Sequence, residues 1–350
     1  MDTFDEYLRQ GEPDKAEKAE VWKTAIGLQQ VDGLTPSVYL IETARQNIEG
    51  YLSIGEVKKL IDNYYKQYSL KDDNSRTEEA DKVSTRITEI LGEKTFTFSP
   101  AEYLAIHRRL FQGIYPHAGK IRDYNITKQE WVLNGETVLY ASAESLKATL
   151  EYDFQQEKIF SYAGLSRHEI IEHIAHFISY LWQIHVFGEG NTRTTAVFLI
   201  KYLRKLGFRE VNNNLFAHHS WFFRNALVRA NYEDLSAGIH KTGKYLIRFL
   251  LNLVNHENHR LKNRELHIRY KISANDTVNS VDDTVNDTVN SAYNTVLSLI
   301  KHDRTVTAVE ISERLQISLS TAKRKLKELK DRGIVRREGS DKAGNWQIIG

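Results

Sequence analysis

The stretch His185-Val186-Phe187-Gly188-Glu189-Gly190-Asn191-Thr192-Arg193 contains a base, an acid, a glycine-containing turn and a cation. Strongly apolar segments lie on both sides of it. The preceding run from His168 to Ile184 has its large apolar residues at helical spacing, and Ser166 with Glu169 forms a capping box at its start. The following run from Thr192 to Leu206 is predicted to be a helix that is apolar almost all round. The stretch is therefore predicted to be the loop of a helix-loop-helix unit.

The second of these helices offers a site for anions. A helix that is apolar on all faces belongs in a domain interior, so its N-terminus should open at the floor of a cleft. The N–H groups around Gly190, Asn191 and Thr192, with the positive end of the helix dipole, would hold phosphate oxygens. Arg193 adds a planar fork for a second phosphate. Glu189 would repel phosphates unless it holds Mg²⁺, which proteins bind through one or two carboxylates plus substrate phosphates.

His185 supplies a base beside this predicted phosphate site. Its unperturbed pKa of about 6.5 suits a group that takes a proton from an attacking hydroxyl. The alternative is a satisfied buried histidine followed by an ordinary Gly-Asn turn. The family resemblance described next favours the catalytic interpretation, because it rests on several matched residues at fixed spacing.

The stretch resembles the signature of the Fic family, H-x-F-x-D/E-G-N-G-R-x-x-R, whose members mostly transfer AMP from ATP to a protein hydroxyl. Six of the eight fixed positions match, namely His185, Phe187, Glu189, Gly190, Asn191 and Arg193. Thr192 replaces a glycine, and Ala196 replaces the second arginine. The resemblance implies that His185 is the base, that Glu189 is the metal ligand, and that Asn191, the loop backbone and Arg193 bind phosphates. Because Ala196 alters the outer phosphate site, removal of AMP or transfer of another phosphate-containing group stays open.

Composition excludes some classes of protein. The 350 residues include no cysteine, which excludes a disulfide framework and a thiolate metal site. No apolar run approaches the roughly 18 residues of a membrane span. The acidic start from Met1 to Glu6 lacks the cationic region of a signal peptide. We therefore expect a cytoplasmic protein without a membrane partner, while the net charge of +2 says little about other partners.

Residues 1–95 are predicted to form an N-terminal helical region. Residues 1–30 have the charge of a helical arm outside any core, and 70–81 are polar enough for an exposed loop. Within this region, 43–50 resemble the inhibitory segment that precedes the core of many Fic proteins, with Glu49 as the regulatory residue. The Ser or Thr of that segment is Arg45 here. The alternative is a helix end with Gly50 as its cap and a solvated Glu49.

Residues 96–268 are predicted to form a mainly α, Fic-type core with one β-hairpin. The runs Glu130–Leu133 and Glu136–Tyr140 are separated by Asn134-Gly135, a strong hairpin signal. In the Fic family a hairpin here, the flap, lies over the active site and pairs with an extended segment of the target. The resemblance implies that Tyr124 and Trp131 hold the target. A purely structural hairpin is the alternative.

Two further sets of residues in this core are candidates for binding. Asn231 and Tyr232 resemble the positions at which family members line the adenine pocket. His173 and His176 lie at a spacing that suits a pair of metal ligands, although the polar stripe of an amphipathic helix explains them equally well.

The C-terminal region is predicted to be a separate module. Residues 269–290 contain three Asp-Thr-Val-Asn repeats, which indicate a linker. Residues 291–350 are similar to a winged helix-turn-helix, with 12 Lys+Arg against 7 Asp+Glu, a net charge of +5. The basic helix from Leu319 to Arg332 could enter a major groove of DNA. Dimerisation or protein docking is the alternative.

The sequence therefore predicts a protein adenylyltransferase that moves AMP from Mg-ATP to a Ser, Thr or Tyr hydroxyl of a target protein. The chain itself is a candidate target, and a homodimer stays open. The rival prediction is a DNA-binding regulator whose Fic-like core senses a nucleotide. The intact base at His185 favours the enzyme, because a sensor needs no base.

Overall fold

A computed structural model describes residues 4–10, 12–68, 75–208, 211–212 and 214–270, and in the C-terminal part 296, 299–300, 303–314, 322–323, 326–327, 329–330, 335–338 and 344–348. The chain divides into two compact units after residue 277. In this described part, no helix is both long and apolar enough to cross a membrane.

The first unit is helical, as predicted. Its helices are α1 Asp5–Gln10, α2 Pro13–Gly27, α3 Val38–Glu49, α4 Ile54–Tyr68, α5 Ser75–Gly92, α6 Pro100–Phe111, α7 Leu146–Ile159, α8 Arg167–Ile184, α9 Asn191–Lys205, α10 Asn214–Asn231 and α11 Lys244–Asn255. Short 3-10 helices occupy Leu28–Asp32, Trp131–Leu133, Ala143–Ser145, Leu235–Ala237 and Asn263–Leu266.

Helix α9 lies at the centre of the main hydrophobic core. Every residue from 191 to 203 is buried, as the apolar pattern on all faces predicted. Phe198 packs its ring against Tyr103 and Phe154, with ring centroids 5.5 Å apart in both pairs. The capping box of Ser166 and Glu169 begins α8, which ends directly at the signature stretch. The helix-loop-helix prediction is confirmed.

The N-terminal residues are part of the packed protein, so the prediction of an arm outside any core is wrong. Val21 and Ala25 of α2 belong to the main core, while Ala19 and Trp22 belong to a second core shared with α3 and α4. The indole N–H of Trp22 donates to Asn47 Oδ1 at 2.9 Å. A few apolar residues on two faces of α2 thus anchor a highly charged segment.

Helix α5 occupies most of the predicted loop 70–81, which corrects that prediction. Residues 69–74 lie outside the described part, but Ser75 begins a helix that continues to Gly92. The acidic composition misled the prediction because Asp81 is buried, where Tyr65 donates to its carboxylate at 2.7 Å and the Ser37 N–H donates at 2.8 Å. Burial raises the pKa of Asp81.

The predicted hairpin has its turn but not its strands. Asn134 and Gly135 both have positive φ, of 57° and 93°, as a tight turn requires. The preceding residues Trp131–Leu133 form a 3-10 helix, and no strand is assigned between residues 118 and 142, all of which the structure describes. Val132 and Leu133 are both fully buried, and a strand cannot place two consecutive side chains on one face. We call residues 124–141 the covering loop.

The second unit has the elements of a small winged helix in its described residues. Helix α12 (Ala308–Arg314) begins at a capping box of Thr307 and Glu310, and strands β1 (Val335–Glu338) and β2 (Asn345–Ile348) pair antiparallel. The predicted basic helix is described only in part. There, Ala322, Leu326 and Leu329 are buried, and the residues that follow them, Lys323, Lys327 and Lys330, are exposed.

Candidate active site

The loop between α8 and α9 is closed by one of its own side chains. Asn191 Oδ1 accepts from the Phe187 N–H at 3.0 Å, and Asn191 Nδ2 donates to the Phe187 carbonyl at 2.7 Å. Gly190 has φ 78°, and a Cβ there would lie 2.4 Å from the ring of Phe111, so only glycine fits. Because both polar atoms of the Asn191 side chain serve the loop, a phosphate contact from Asn191 is left to its backbone N–H.

His185 ends α8 with a left-handed backbone, φ 52° and ψ 57°. Its ring lies against Tyr140 and Trp182, at centroid distances of 4.3 and 5.2 Å. Nδ1 is 3.3 Å from the Trp182 carbonyl, which can only accept, so the proton is assigned to Nδ1 and the lone pair to Nε2. Burial, and next the positive charge of Lys128, hold the pKa of His185 well below 6.5. The predicted base is therefore neutral at pH 7.

Arg122 fixes the backbone on which His185 sits. It is buried, and its Nε donates to the His185 carbonyl at 2.8 Å while its backbone N–H donates to the Val186 carbonyl at 3.0 Å. Its Nη1 and Nη2 donate to the carbonyls of Tyr124 and Ala141, the two ends of the covering loop. Burial lowers the pKa of Arg122. Sequence analysis missed this residue, because nothing local shows that its partners are backbone carbonyls distant in sequence.

Glu189 has an exposed carboxylate on a fixed backbone. Its side chain is 56% exposed, and Oε2 lies 3.2 Å from Lys128 Nζ. The Gly119 N–H donates to His107 Nδ1 at 2.8 Å, so the proton of His107 is assigned to Nε2, which donates to the Glu189 carbonyl at 2.9 Å. The His107 ring stacks on Phe187 at 3.6 Å, and burial lowers the pKa of His107 to about 4. His107 and Lys128 were not predicted to belong to the site.

The N-terminus of α9 retains the N–H groups expected of an anion site. Gly190 is the N-cap residue and provides no side-chain cap, so the first-turn N–H groups have no acceptor within the helix. Thr192, which replaces a glycine of the signature, accepts from the indole N–H of Trp182 at 3.0 Å. Its hydroxyl therefore joins α9 to α8. Gly190, Asn191 and Thr192 can meet phosphate oxygens through their backbone.

Arg193 lies in a nest of acidic and polar side chains rather than in an open cleft. It is 1% exposed, its Nη2 donates to Glu79 at 2.6 Å, and its Nη1 donates to Gln29 at 3.0 Å. Its Nε lies 2.8 Å from Asp32 Oδ2, a close ion pair whose atoms are not aligned as a hydrogen bond. Burial acts to lower the pKa of Arg193, but Asp32, Tyr115 and Glu79 outweigh it and the pKa is raised. The predicted contact of Arg193 with a phosphate would require these bonds to break.

Glu49 does not contact Arg193. Its carboxylate lies 2.8 Å from Lys15 Nζ, and hydrogen bonds from Lys15 and then Tyr7 lower its pKa. Gly50 is the C-cap of α3 with φ 88°, as in the alternative interpretation of this segment. The carboxylates that reach Arg193 come instead from Asp32 and Glu79, which sequence analysis did not single out.

The residues predicted to line an adenine pocket are packed unequally. Asn231 is buried, and its Nδ2 donates to the carbonyls of Ser179 and Leu227, both at 2.9 Å. The Asn231 amide nitrogen thus joins α10 to α8 and is not available to donate to an adenine base. Tyr232 is half-buried against the main core, which leaves part of its ring accessible.

The two residues predicted to hold a target are accessible on the covering loop. Tyr124 is 52% exposed, and a Cβ on Gly188 would lie 2.4 Å from its hydroxyl, so Tyr124 covers the backbone of the signature loop. Trp131 is 44% exposed and packs edge-on against His267 at 5.0 Å. Both side chains stay candidates for target contact.

The histidine pair of α8 does not meet a metal-like set of ligands. His173 Nε2 lies 2.7 Å from the buried carboxylate of Glu157, and the His173 ring stacks on Phe160. Among the residues that the structure describes, no group of three or more His, Cys, Asp or Glu side chains could hold a metal ion. His173 therefore has a structural partner in α7.

Comparison with known proteins adds to this geometry. The Fic/DOC family matches residues 97–203, and the MarR family matches residues 289–344. Over 131 residues, 37% of this chain, the sequence is 29% identical to protein adenylyltransferase VbhT of Bartonella schoenbuchensis. The matched segment spans 24%, about a quarter, of that relative's length.

Solved structures with some likeness to the chain include two with Fic in their description. The N-terminal FIC domain of the effector protein Bep8 from Bartonella sp. 1-1C has 18% identity and a TM-score of 0.42, covering 53% of this chain and 87% of that one. A Fic family protein from Desulfovibrio desulfuricans G20 has 13% identity and a TM-score of 0.46, covering 98% and 90%. From the two family matches, the chain is a Fic/DOC domain protein with a C-terminal MarR-type winged helix-turn-helix.

Proposed function

We propose that the Fic/DOC domain transfers AMP from Mg-ATP to a hydroxyl group of a protein. The observation that carries this proposal is the neutral, buried His185, held one loop away from the exposed carboxylate of Glu189 and beside the N-terminus of α9. The similarity of part of the chain to a protein adenylyltransferase also supports it. One loop thus offers a base, a carboxylate and phosphate-binding N–H groups.

The residues present fit a magnesium ion that arrives with its nucleotide. Mg²⁺ is usually bound by one or two carboxylates plus substrate phosphates, and Glu189 offers one carboxylate whose partner, Lys128, is itself partly exposed. Glu189 would hold the ion together with the phosphates. When bound, the ion supplies positive charge that neutralises the leaving pyrophosphate.

The other groups act on the acceptor and on the phosphates. His185 Nε2 takes the proton of the acceptor hydroxyl, whose oxygen forms a bond to the α-phosphorus as the bond to pyrophosphate breaks. The Trp182 carbonyl fixes the Nδ1 tautomer, and Arg122 fixes the backbone position of the ring. First-turn N–H groups of α9 hold phosphate oxygens in place. Positioning and fixed charge thus carry most of the rate enhancement.

The target would dock on the covering loop. This loop presents exposed apolar side chains at Tyr124, Trp131 and Leu139, the last of which is 84% exposed. Residues 136–141 have no strand partner in the described part. The carbonyls of Glu136, Leu139 and Ala141 already accept hydrogen bonds, so an extended segment of a target would pair with the remaining backbone groups. Docking through the backbone imposes few requirements on the amino-acid sequence of the target. The acceptor can be a Ser, Thr or Tyr of another protein or of this chain.

A second candidate is transfer of a different phosphate-containing group, or removal of AMP. Two observations favour this second candidate. Ala196 is fully buried and provides no charge, and Arg193 is engaged by Asp32 and Glu79. The phosphates of ATP could therefore bind at positions that differ from those implied by a signature with two free arginines.

Labelled ATP separates these candidates. Purified full-length protein is incubated with Mg²⁺ and either α-labelled or γ-labelled ATP, with His185→Ala as the matched control. AMP transfer leaves the α-label on protein and not the γ-label, and His185→Ala removes it while nucleotide binding persists. Label from γ-labelled ATP alone would replace the proposal by phosphoryl transfer, and release of AMP from modified protein would replace it by de-AMPylation.

The MarR-type domain is proposed to bind DNA. In its described residues, Lys323, Lys327 and Lys330 follow buried positions at helical spacing and are exposed together. A row of cations on one helix face is what phosphate contacts or major-groove entry need. Full-length protein should therefore bind duplex DNA with an affinity that falls steeply with salt.

A triple Gln substitution at these lysines tests the DNA proposal. It should reduce the salt slope of binding by about one for each lysine that contacts phosphate. The matched control is a Gln substitution at Lys120 in the first unit, which should change nothing. Full-length protein that shows no DNA retention even at low salt would reject DNA binding.

A further inference from the structure

The cations around the signature stretch differ in how firmly they are held. Arg193 is 1% exposed, with Asp32 and Glu79 as ion-pair partners. Arg224 is bound by both carboxylate oxygens of the buried Glu130, at 2.6 and 3.0 Å. Arg122 is buried against backbone carbonyls. None of these three can meet a phosphate without leaving a buried anion or buried carbonyls behind.

Lys128 is held differently. Its side chain is 27% exposed, and its ion-pair partner in the described structure is Glu189, whose own side chain is 56% exposed. Exposed pairs of this kind contribute about 0–1 kcal/mol, so exchange of the carboxylate for a phosphate costs little. The backbone N–H of Lys128 donates to Thr137 Oγ1 at 3.2 Å, which ties this part of the covering loop to its other side.

Lys128 also lies close enough to act on both Glu189 and His185. Its Nζ lies 3.2 Å from Glu189, and its charge is the largest charge contribution, after burial, to the lowered pKa of His185. A nucleotide bound between the base and the carboxylate would therefore lie within reach of this ammonium group. Ala196 provides no cation that could compete for that role.

We propose that Lys128 is the phosphate-binding cation of this site and takes the role that the signature arginines would have. This inference rests on the proposed function. On nucleotide binding Lys128 leaves Glu189, which becomes available to Mg²⁺, and contacts phosphate oxygens directly. The side chain therefore pairs with the Glu189 carboxylate before nucleotide binds and contacts phosphate afterwards.

Nucleotide binding tests the proposal without any transfer reaction. Titration calorimetry with the adenosine β,γ-imido triphosphate analogue and Mg²⁺ compares wild type, Lys128→Met, Lys128→Arg and the control Lys120→Met. Lys120 is an exposed lysine eight residues earlier in the chain. We expect Lys128→Met to raise Kd about tenfold, the loss of one charge-assisted hydrogen bond. Lys128→Arg should stay within about threefold of wild type, because it keeps the charge.

A parallel titration with ADP in EDTA separates direct contact from an effect through Glu189. Without metal, Lys128→Met should still weaken ADP binding, since the ammonium touches phosphate. Unchanged or tighter binding by Lys128→Met, or an effect that vanishes in EDTA, overturns the proposal, because Lys128 would then only block or position Glu189. Wild-type protein that binds no nucleotide overturns both this inference and the proposed function.

The same variants distinguish the two proposals when binding is present. Lysine-dependent nucleotide binding without α-label transfer would reject AMP transfer and support the role of Lys128. Transfer with lysine-independent binding would do the reverse.

Discussion

Arg193 Nη2 lies 2.6 Å from Glu79 Oε1, although 114 residues separate them in sequence. The contact joins the first turn of α9, which carries the signature, to the N-terminal part of α5. Asp32 approaches the same guanidinium from the end of a 3-10 helix that follows α2. A residue that the family signature assigns to phosphate thus connects the N-terminal helices to the candidate active site.

Removal of Glu79 should destabilise the first unit. We expect Glu79→Ala to lower the free energy of unfolding by about 3 kcal/mol, because it leaves a buried guanidinium with one carboxylate fewer. Urea denaturation followed by tryptophan fluorescence measures this. Glu78→Ala is the control, since Glu78 forms an i,i+4 pair with Lys82 near the surface and should cost less than about 1 kcal/mol. Unchanged stability with tighter nucleotide binding would show that Arg193 is a displaced phosphate ligand.

His107 should make stability depend on pH. Its pKa is lowered to about 4 in the folded protein by burial, whereas an unfolded histidine has a pKa of about 6.5. Below pH 6.5 the unfolded chain takes up a proton that the folded state refuses, so the contribution is complete above pH 6.5 and is lost as pH falls toward 4. Between pH 7.5 and 5 the loss from this residue is about 2 kcal/mol.

The variant His107→Gln should lose about 2 kcal/mol less stability than wild type over that pH interval. The exposed His168, changed to Gln, is the control and should leave the pH dependence as in wild type. An NMR titration of the His107 ring in the wild type gives the same answer directly. A ring that titrates near pH 6.5 would show that His107 does not stay neutral while it holds the Glu189 backbone.

Local patterns in the sequence predicted the elements that form the site. The helices on each side of the signature were predicted from His168 to Ile184 and from Thr192 to Leu206, and the structure has them from Arg167 to Ile184 and from Asn191 to Lys205. Their apolar spacing and capping residues act within a few residues of chain. The same holds for the Asn134-Gly135 turn, whose positive φ values are a property of those two residues.

Contacts between distant residues could not be predicted in this way. Spacing does not reveal that Asp32 and Glu79 meet at Arg193, or that Arg122 reaches carbonyls on both ends of the covering loop. The prediction of a β-hairpin in the covering loop was wrong for the same reason. The Ile268 N–H donates to the Val132 carbonyl, a tertiary bond that replaces the strand pairing expected from alternation.

Glu49 should have little influence on activity, because its partners are Lys15 and Tyr7 rather than Arg193. We expect Glu49→Gly to change the rate of self-modification at saturating Mg-ATP by about fivefold or less, the effect of one exposed ion pair. The rate of α-label incorporation into the purified protein measures this, with Glu42→Gly on the same helix as the control. An activation of several hundredfold would establish Glu49 as an inhibitory residue that reaches the site in another conformation.

Arg122 should act on the rate of the chemical step through the position of His185. The left-handed backbone of His185 is costly for a non-glycine residue, and it persists because surrounding groups hold it, among them the Arg122 Nε bond of 2.8 Å to its carbonyl. We expect Arg122→Gln to lower kcat about 100-fold, the effect of displacing a reacting group by about 1 Å. The KM for Mg-ATP should change less than about threefold, because Arg122 does not face the phosphates.

The variant Arg122→Lys decides whether charge or geometry matters. One ammonium group cannot span the carbonyls of His185, Tyr124 and Ala141, so the Lys variant should keep the fold but should not recover kcat. Thermal unfolding of both variants shows whether the fold is kept at the assay temperature. Full recovery of kcat by Lys, or a fall in nucleotide affinity that matches the fall in kcat, would mean that Arg122 supplies charge to the site. If the position of His185 is what matters, kcat of the Lys variant should fall at the same acidic pH as in wild type but reach a lower maximum. The reason is that the His185 ring stays buried, which keeps its pKa, while it no longer lies in the productive position.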